Sequence, residues 1–396
     1  MNRILFITTR NVLNTSGEFR LIKNRTKTLY EKWNVQTEFI VVCSNKKIES
    51  QNEELGSNSL VTSIGFENNP ISVYSAFVKG KRNMLDQLRN EEYKCIILSG
   101  IGMLEYIPSI RKVSNDIPII VDIHGVKEEL LEYNTGSTFK KMLKTALYYY
   151  TKYSENKHLI KADGTLVVSK ALANNLREEY GLDNLNQYVV PCAIDNNNID
   201  DKEKKLLKSY YREKYNIAMD ETVFIYSGGV SPWQCIDKSI EIFKRINEKK
   251  DLRARMMIFS HQADIIRAKV ADDKNIIVDS LSSDEVNKAL CMGDFALLIR
   301  ENYITNNVAY PNKFLEYVQS GMKVISTPYI FDVAEEIVNY DVGVIIDLNN
   351  YCSELAEYFG RNETLIEDSA KRKELLYSSS FEYTLKSFVD NLSLSD

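Results

Sequence analysis

The chain has 396 residues, of which 44% are hydrophobic and 27% are charged, as is usual for a globular protein with one large or two average domains. The formal net charge of −5 argues against a general nucleic-acid binder, because such proteins are normally basic. The six cysteines are scattered and only three histidines occur, so we expect neither a disulfide framework nor a His-rich metal site.

The N-terminal sequence MNRILFITTR is a short apolar segment followed by polar residues, which is not the pattern of a signal peptide. No apolar run approaches the roughly 18–20 residues that are needed to cross a bilayer. Together with the scattered cysteines, this predicts a reduced, cytoplasmic protein.

Short apolar segments alternate with helical patterns through residues 1–192, which predicts an N-terminal α/β domain. Gly17 follows the first predicted strand in a Rossmann-like order, although GxGxxG is absent. His124 and Gly125 follow a later strand, at the edge of a parallel sheet where ligands bind. The predicted strands are 3–8, 36–43, 60–64, 95–99, 117–123, 163–169 and 188–191.

The predicted helix over residues 137–160 combines lysines with aromatic residues. Its six lysines, counting Lys161 just beyond it, are interleaved with Phe139, Tyr149, Tyr153 and other apolar residues. One interpretation is a solvated lysine face, and the other is a helix that lies on an anionic bilayer surface.

Residues 193–205 are polar and predict a linker, after which a second α/β alternation covers residues 206–375. Its first strand ends in the pair Gly228-Gly229, and glycines in that position let the backbone approach a phosphate. Residues 376–396 predict a C-terminal helix. The predicted strands of this domain are 223–226, 255–260, 275–278, 295–299, 324–326 and 343–346.

The segment from Leu297 to Pro328 carries the most informative pattern. A buried strand ends in charge at Arg300 and Glu301, and a polar loop leads to a helix that Pro311 opens. An anion is favoured at the N-terminus of such a helix, because unpaired N–H groups point at it. Lys313 in the first turn opposes the helix dipole, so we expect a negative partner such as a phosphate.

The string Pro311-x-Lys313-x-x-Glu316-Tyr317-x-x-x-Gly321-x-x-Val324-Ile325 resembles the nucleotide-sugar loop of retaining glycosyltransferases of family 4. The resemblance implies the GT-B fold, in which two Rossmann-like parallel-sheet domains face a cleft and a C-terminal helix returns to the first domain. It also implies a metal-independent transferase that moves a sugar from a nucleoside diphosphate to an acceptor hydroxyl in polysaccharide biosynthesis.

The resemblance assigns donor-binding roles to several residues of the second domain. Glu316 matches the glutamate that binds the donor ribose, whereas Val308 stands where a second glutamate is frequent in the family. The cations that the family often carries after Gly229 are replaced by Pro232, Trp233 and Gln234. We therefore expect cation and polar contacts from neighbouring strand ends, namely from Arg300, Glu301, Asn307 and Lys313.

Three residues of the first domain are expected to bind acceptor or sugar. The family carries a motif similar to Asp122-x-His124-Gly125 at its interdomain cleft, and we count His124 among the catalytic residues. Arg300 and Lys313 are the other catalytic candidates, because they follow neighbouring strands and can supply the charge that residues 227–234 lack. Gly17 lies in the loop that contacts phosphates in the family, although a turn glycine explains it as well. Ser169 closes the strand 163–169.

The interpretation that these patterns favour is a glycosyltransferase without a cofactor, whose partners are a nucleotide-sugar donor and a glycan, lipid-linked or protein acceptor. Peripheral contact with the inner face of the plasma membrane stays open. Two alternatives remain, a non-hydrolysing sugar-nucleotide epimerase and a catalytically silent GT-B subunit. The silent subunit remains an alternative because residues 227–234 lack the cations that the family often carries there.

Overall fold

A computed structural model describes residues 2–9, 17–44, 60–67, 69–134, 136–193, 199–248, 253–270, 273–360 and 369–394. The chain divides into two compact units. The first comprises Met1–Ala193 together with Ser379–Asp396, and the second comprises Ile194–Ser378. Within the described residues no helix is long and apolar enough to cross a membrane.

The first unit is built on a seven-stranded parallel sheet with the order β3-β2-β1-β4-β5-β6-β7. The central strands are apolar and mostly buried, as expected of a sheet with helices on both faces. The strands are β1 (Asn2–Thr8), β2 (Val35–Ser44), β3 (Leu60–Phe66), β4 (Cys95–Ser99), β5 (Ile119–Ile123), β6 (Gly164–Val167) and β7 (Asn186–Val189).

The helices of the first unit include the end of the chain. Phe388 is buried, and its ring packs edge-on against the ring of Tyr188 with 5.3 Å between the ring centroids. The side chain of Asn2 donates to the Leu394 carbonyl at 2.9 Å. The chain therefore ends on the sheet where it begins. The helices are Gly17–Trp33, Pro70–Asn90, Ile107–Val113, Glu129–Glu132, Thr138–His158, Lys170–Tyr180, Phe381–Thr384 and Lys386–Asn391.

The second unit contains a six-stranded parallel sheet with the order β10-β9-β8-β11-β12-β13. The chain runs from β8 through β9 to β10 on one side of the sheet, and from β11 through β12 to β13 on the other side. The crevice at the carboxyl ends of β8 and β11 is therefore a topological switch point, where α/β sheets bind ligands. The strands are β8 (Thr222–Ser227), β9 (Ala254–Phe259), β10 (Ile276–Asp279), β11 (Phe295–Leu298), β12 (Lys323–Ser326) and β13 (Gly343–Ile345).

The core of the second unit lies between this sheet and its helices, with Phe224, Phe243 and Phe295 at its centre. The prediction of two Rossmann-like parallel sheets is confirmed. The helices are Asp201–Lys214, Ile236–Asn247, Ala263–Val270, Ser283–Ala289, Ile304–Asn307, Asn312–Gln319, Phe331–Asn339, Tyr351–Gly360 and Ser369–Ser378.

The predicted linker 193–205 is in part helical. Asp200 caps the helix Asp201–Lys214, because its carboxylate accepts from the Glu203 amide at 2.8 Å. The last residues of the predicted linker therefore form the first turn of this helix. Residues 194–198 lie outside the described part of the chain.

Candidate functional site

The carboxyl ends of β8 and β11 bring together the two-glycine turn and the segment that begins at Arg300. We call this region, residues 227–234 and 299–316, the β8–β11 edge. The turn is held by two buried tyrosines: the Ser227 amide donates to the Tyr317 hydroxyl at 2.8 Å, and the Tyr226 hydroxyl donates to the Gly229 carbonyl at 2.7 Å. Burial raises the pKa of both phenols, so they remain protonated.

Gly229 packs closely against two glutamine side chains. A Cβ at this position would lie 2.9 Å from Gln262 Oε1 and 3.0 Å from Gln234 Oε1. Gln262 Oε1 itself accepts from the Val230 amide at 3.0 Å. The predicted residues Gly228, Gly229 and Gln234 thus lie close together.

Arg300 reaches back to this turn from the end of β11. Its guanidinium donates to the backbone carbonyls of Gln234 and Ile299 at 3.1 and 2.8 Å, and the residue is 8% exposed. Its own backbone exchanges hydrogen bonds with the Thr327 hydroxyl. The structure therefore brings a cation to the loop whose own sequence has none.

The charge of Arg300 acts on its neighbours in this turn. Burial raises the pKa of the Cys235 thiol, and the positive charge of Arg300 works against that rise. Burial and Arg300 oppose each other in the same way at the pKa of Tyr226. A positive field at a two-glycine turn is suited to a phosphate.

The segment after Arg300 folds on itself. The side chain of Asn306 donates to the Glu301 carbonyl at 2.9 Å, and Asn307 donates to the Tyr329 carbonyl at 3.2 Å. Glu301 is exposed, whereas Val308 is buried. The backbone amides of residues 307–309 donate to carbonyls of residues 303, 304 and 306, because residues 304–307 form a helical turn.

Lys313 and Glu316 form an ion pair in the first turns of the helix Asn312–Gln319. The Lys313 ammonium lies 2.5 Å from Glu316 Oε2, and the Glu316 side chain is 7% exposed. The negative partner expected for Lys313 is therefore Glu316 in this structure, three residues along the same helix. The pair places both predicted residues together at the β8–β11 edge.

In the first unit, His124 lies just after β5, at the carboxyl edge of its sheet. Its Nε2 is 2.7 Å from Asp122 Oδ2, and Asp122 Oδ1 accepts from Arg25 at 2.7 Å. The three side chains are at most 5% exposed. Burial alone would raise the pKa of the Asp122 carboxyl, but the charges of His124 and Arg25 hold it well below its usual range.

Gly17 and Ser169 occupy the starts of helices. Gly17 is the first residue of the helix Gly17–Trp33. Ser169 is fully buried and caps the helix Lys170–Tyr180, since its hydroxyl accepts from the Leu172 amide at 2.9 Å. A serine immediately before a helix is a sequence signal for a cap, so this structural role was predictable.

Four residues at or beside these two sheet edges do not stand out as site residues in the sequence. Asp122 lies inside the motif that points to His124, and the alternation of a strand puts residues two apart on the same face. Arg25, Tyr226 and Gln262 carry no such local signal. Within the described residues no cluster of three His, Cys, Asp or Glu could hold a metal ion.

Residues 32–198 match the sequence profile described as Glycosyltransferase Family 4. This stretch of the chain is similar to that family. Among curated proteins no sequence matches significantly. The profile match and the fold together support a glycosyltransferase enzyme.

Solved structures match the chain over nearly its full length. A glycosyltransferase from Rickettsia africae is 14% identical with a TM-score of 0.72, and the match covers 99% of this chain and 98% of that one. WaaG, a glycosyltransferase involved in lipopolysaccharide biosynthesis, is 11% identical with a TM-score of 0.67, covering 98% and 99%. These matches confirm the GT-B fold.

A third match is a trehalose-6-phosphate structure from E. coli, bound with UDP-2-fluoro glucose. It is 12% identical with a TM-score of 0.63, and the match covers 99% of both chains.

Proposed function

We propose that this protein transfers a sugar from a nucleoside diphosphate to an acceptor hydroxyl with retention of configuration, in the synthesis of a glycan or surface polysaccharide. The observation that carries the proposal is the guanidinium of Arg300, which donates to the Gln234 carbonyl of the segment 227–234, at the switch point of the second sheet. A diphosphate needs such a cation, because leaving its charges unpaired in a partly dry site is costly.

In the proposed reaction, the bond between the anomeric carbon and the diphosphate oxygen breaks, and the diphosphate leaves with the electron pair. Arg300 stabilises the charge that develops on it, through bidentate contact with phosphate oxygens. The acceptor oxygen then bonds to the same face of the anomeric carbon. Its proton passes to an oxygen of the departing phosphate, so no divalent metal is required.

Glu316 binds the ribose hydroxyls in this proposal. A buried carboxylate is a strong acceptor for two hydroxyl groups, since these hydrogen bonds are charge-assisted. Lys313 already holds one oxygen of Glu316 in place, and it provides a second positive charge at the start of the helix. Gly228, Gly229 and the backbone near Gln234 would line the diphosphate, while His124 would contact the transferred sugar or the acceptor.

One alternative keeps a specific observation in its favour. Residues 227–234 contain neither arginine nor lysine, which favours a silent GT-B subunit if Arg300 does not reach the diphosphate. The epimerase alternative has no such observation in its favour.

A thermal-shift panel of nucleoside diphosphates followed by a turnover assay tests the proposal. A nucleotide at a hundred times its Kd should add about 2.7 kcal/mol to the free energy of unfolding. Glycosyl transfer from the corresponding nucleotide sugar supports the proposal. Tight nucleotide binding without any turnover would favour the silent subunit. Inversion of a stereocentre within the sugar of the nucleotide sugar would favour the epimerase.

We also propose that the helix Thr138–His158 contacts an anionic membrane surface. Its outer face exposes an apolar row with helical spacing, made up of Phe139, Met142, Leu143, Tyr149, Tyr150 and Tyr153. Lys140, Lys141, Lys152 and Lys157 are exposed around that row. The one acidic residue of the helix, Glu155, is turned inward and accepts from the Tyr180 hydroxyl. Lys152 lies 3.9 Å from Glu179 Oε1 of the helix Lys170–Tyr180, so the charge of this face is predominantly but not exclusively positive. A predominantly positive face suits anionic lipid and disfavours contact with a second copy of itself.

A further inference from the structure

Three buried side chains form a hydrogen-bonded series at the carboxyl end of β5. They are Arg25, Asp122 and His124. Asp122 and His124 are two residues apart at the end of a strand, so both side chains lie on the same face of the sheet. Arg25 comes from the helix Gly17–Trp33, and it also donates to the Val190 carbonyl beyond β7 at 2.5 Å. The Asp122 carboxylate thus links the imidazole to the helix Gly17–Trp33, and Arg25 links that helix to the residue after β7.

The direction of the hydrogen bond to His124 follows from the charge of Asp122. The pKa of this carboxyl is held below its usual range by the charges of His124 and Arg25, in opposition to burial. An ionised carboxylate has no proton and can only accept. His124 Nε2 must therefore carry the hydrogen, and in the neutral imidazole the lone pair is then on Nδ1.

In this arrangement, His124 Nδ1 is the ring nitrogen that Asp122 does not bind. It is buried, and within the described part of the chain it has no hydrogen-bond partner. Buried polar atoms are normally satisfied, because an unmade hydrogen bond costs stability. A nitrogen lone pair in this position is complementary to a hydroxyl donor, and both the donor sugar and the acceptor are rich in hydroxyl groups.

We propose that Asp122, itself held by Arg25, is a positioning residue that fixes the Nε2–H tautomer of His124, so that Nδ1 accepts a hydrogen bond from a sugar hydroxyl of the substrate. The role of His124 at the substrate rests on the function proposed above, whereas the tautomer does not. Arg25 contributes by keeping Asp122 charged, because a protonated Asp122 could donate to Nε2 and reverse the tautomer.

Nitrogen-15 NMR of the histidine side chains in the full chain tests the tautomer directly. The wild-type protein, observed at alkaline pH where imidazoles are neutral, should show a pyrrole-like Nε2 and a pyridine-like Nδ1 for His124, with His124→Ala to assign the signals. A pyridine-like Nε2, or an average of the two tautomers, overturns the proposal. This measurement requires no substrate, and the tautomer is read from the wild-type protein.

Asp122→Asn supplies the kinetic test. The variant should mix the His124 tautomers and lower kcat about tenfold or more, while the KM for the donor stays within about twofold. Unchanged kcat in a folded Asp122→Asn protein overturns the positioning role, as does a wild-type tautomer in that variant.

The matched control is Asp294→Asn in the second unit. Asp294 accepts from the nearly buried Arg212 at 2.7 Å, so its loss also leaves an arginine without its carboxylate. Asp294→Asn should lower Tm but keep the His124 tautomer and kcat of the wild type. If the wild type turns over no nucleotide sugar, the proposed function fails, and the NMR measurement still decides the tautomer.

Discussion

The two sheets hold an arginine at their carboxyl edges in different ways. In the first unit, Arg25 donates to the carboxylate of Asp122, and its charge helps to keep that carboxylate ionised in a dry environment. In the second unit, Arg300 donates to the carbonyls of Gln234 and Ile299, and these hydrogen bonds help to hold it beside the segment 227–234.

Because of this difference, the two edges are complementary to different chemical groups. A charge that is paired with a carboxylate organises the protein itself. In the first unit, within the described residues, Nδ1 of His124 is left without a hydrogen-bond partner. A guanidinium positioned by carbonyl groups still exerts its positive field on the loop, where it opposes the rise in the pKa of Cys235 and of Tyr226. The first edge suits a hydroxyl and the second suits an anion.

The largest expected effect is the loss of the anion site. Arg300→Ala should lower turnover about a hundredfold or more, comparable to the removal of one preorganised charge-stabilising donor. Steady-state kinetics with the donor nucleotide sugar measures this. Arg253→Ala, which removes an exposed arginine of the same unit, is the control and should keep wild-type turnover. Near-normal turnover in Arg300→Ala would break the distinction between the two edges.

A smaller effect is expected at the ion pair of the helix Asn312–Gln319. Glu316→Ala should weaken donor binding about tenfold or more, since a hydrogen bond to a charged group contributes roughly 1.5–3 kcal/mol. Lys313→Ala should also weaken donor binding, but less than Arg300→Ala does, because the Lys313 ammonium is already engaged with Glu316. Calorimetry with the donor nucleotide measures both. Wild-type affinity in Glu316→Ala would show that ribose binds elsewhere.

The smallest effects per residue concern the outer face of the helix Thr138–His158. Each of Lys140→Gln and Lys141→Gln should weaken binding to anionic vesicles by about 1 kcal/mol at low salt. The control substitutes glutamine for Lys202 and Lys205, which are exposed on the second unit. Sedimentation with vesicles measures the binding. An equal loss of vesicle binding in both sets of variants would mean that the attraction is non-specific. If the wild type does not bind vesicles at low salt, the proposed membrane contact is wrong.

Much of the fold was predictable because its signals are local. Continuous apolar strands such as β4 and β11, alternating with helical patterns, indicate two parallel sheets from the sequence alone. Two side-chain roles are equally local. Ser169 precedes a helix as a cap does, and Lys313 stands three residues before Glu316 on one helix.

The contacts that give each edge its chemistry were not predictable, because they join distant parts of the chain. Arg300 meets the Gln234 carbonyl across 66 positions, and Arg25 meets Asp122 across 97. No spacing rule relates such residues, since their proximity arises only when the strands take their order in the sheet. The sequence did predict that a cation must come from outside residues 227–234, and Arg300 was among the candidates it offered.

The most direct test of the account is a structure of the protein with the donor nucleotide bound. We predict that the diphosphate lies at the turn of Gly228 and Gly229, with its oxygens about 2.7–3.2 Å from the guanidinium nitrogens of Arg300. A diphosphate farther from Arg300 than a water-bridged distance would contradict the account.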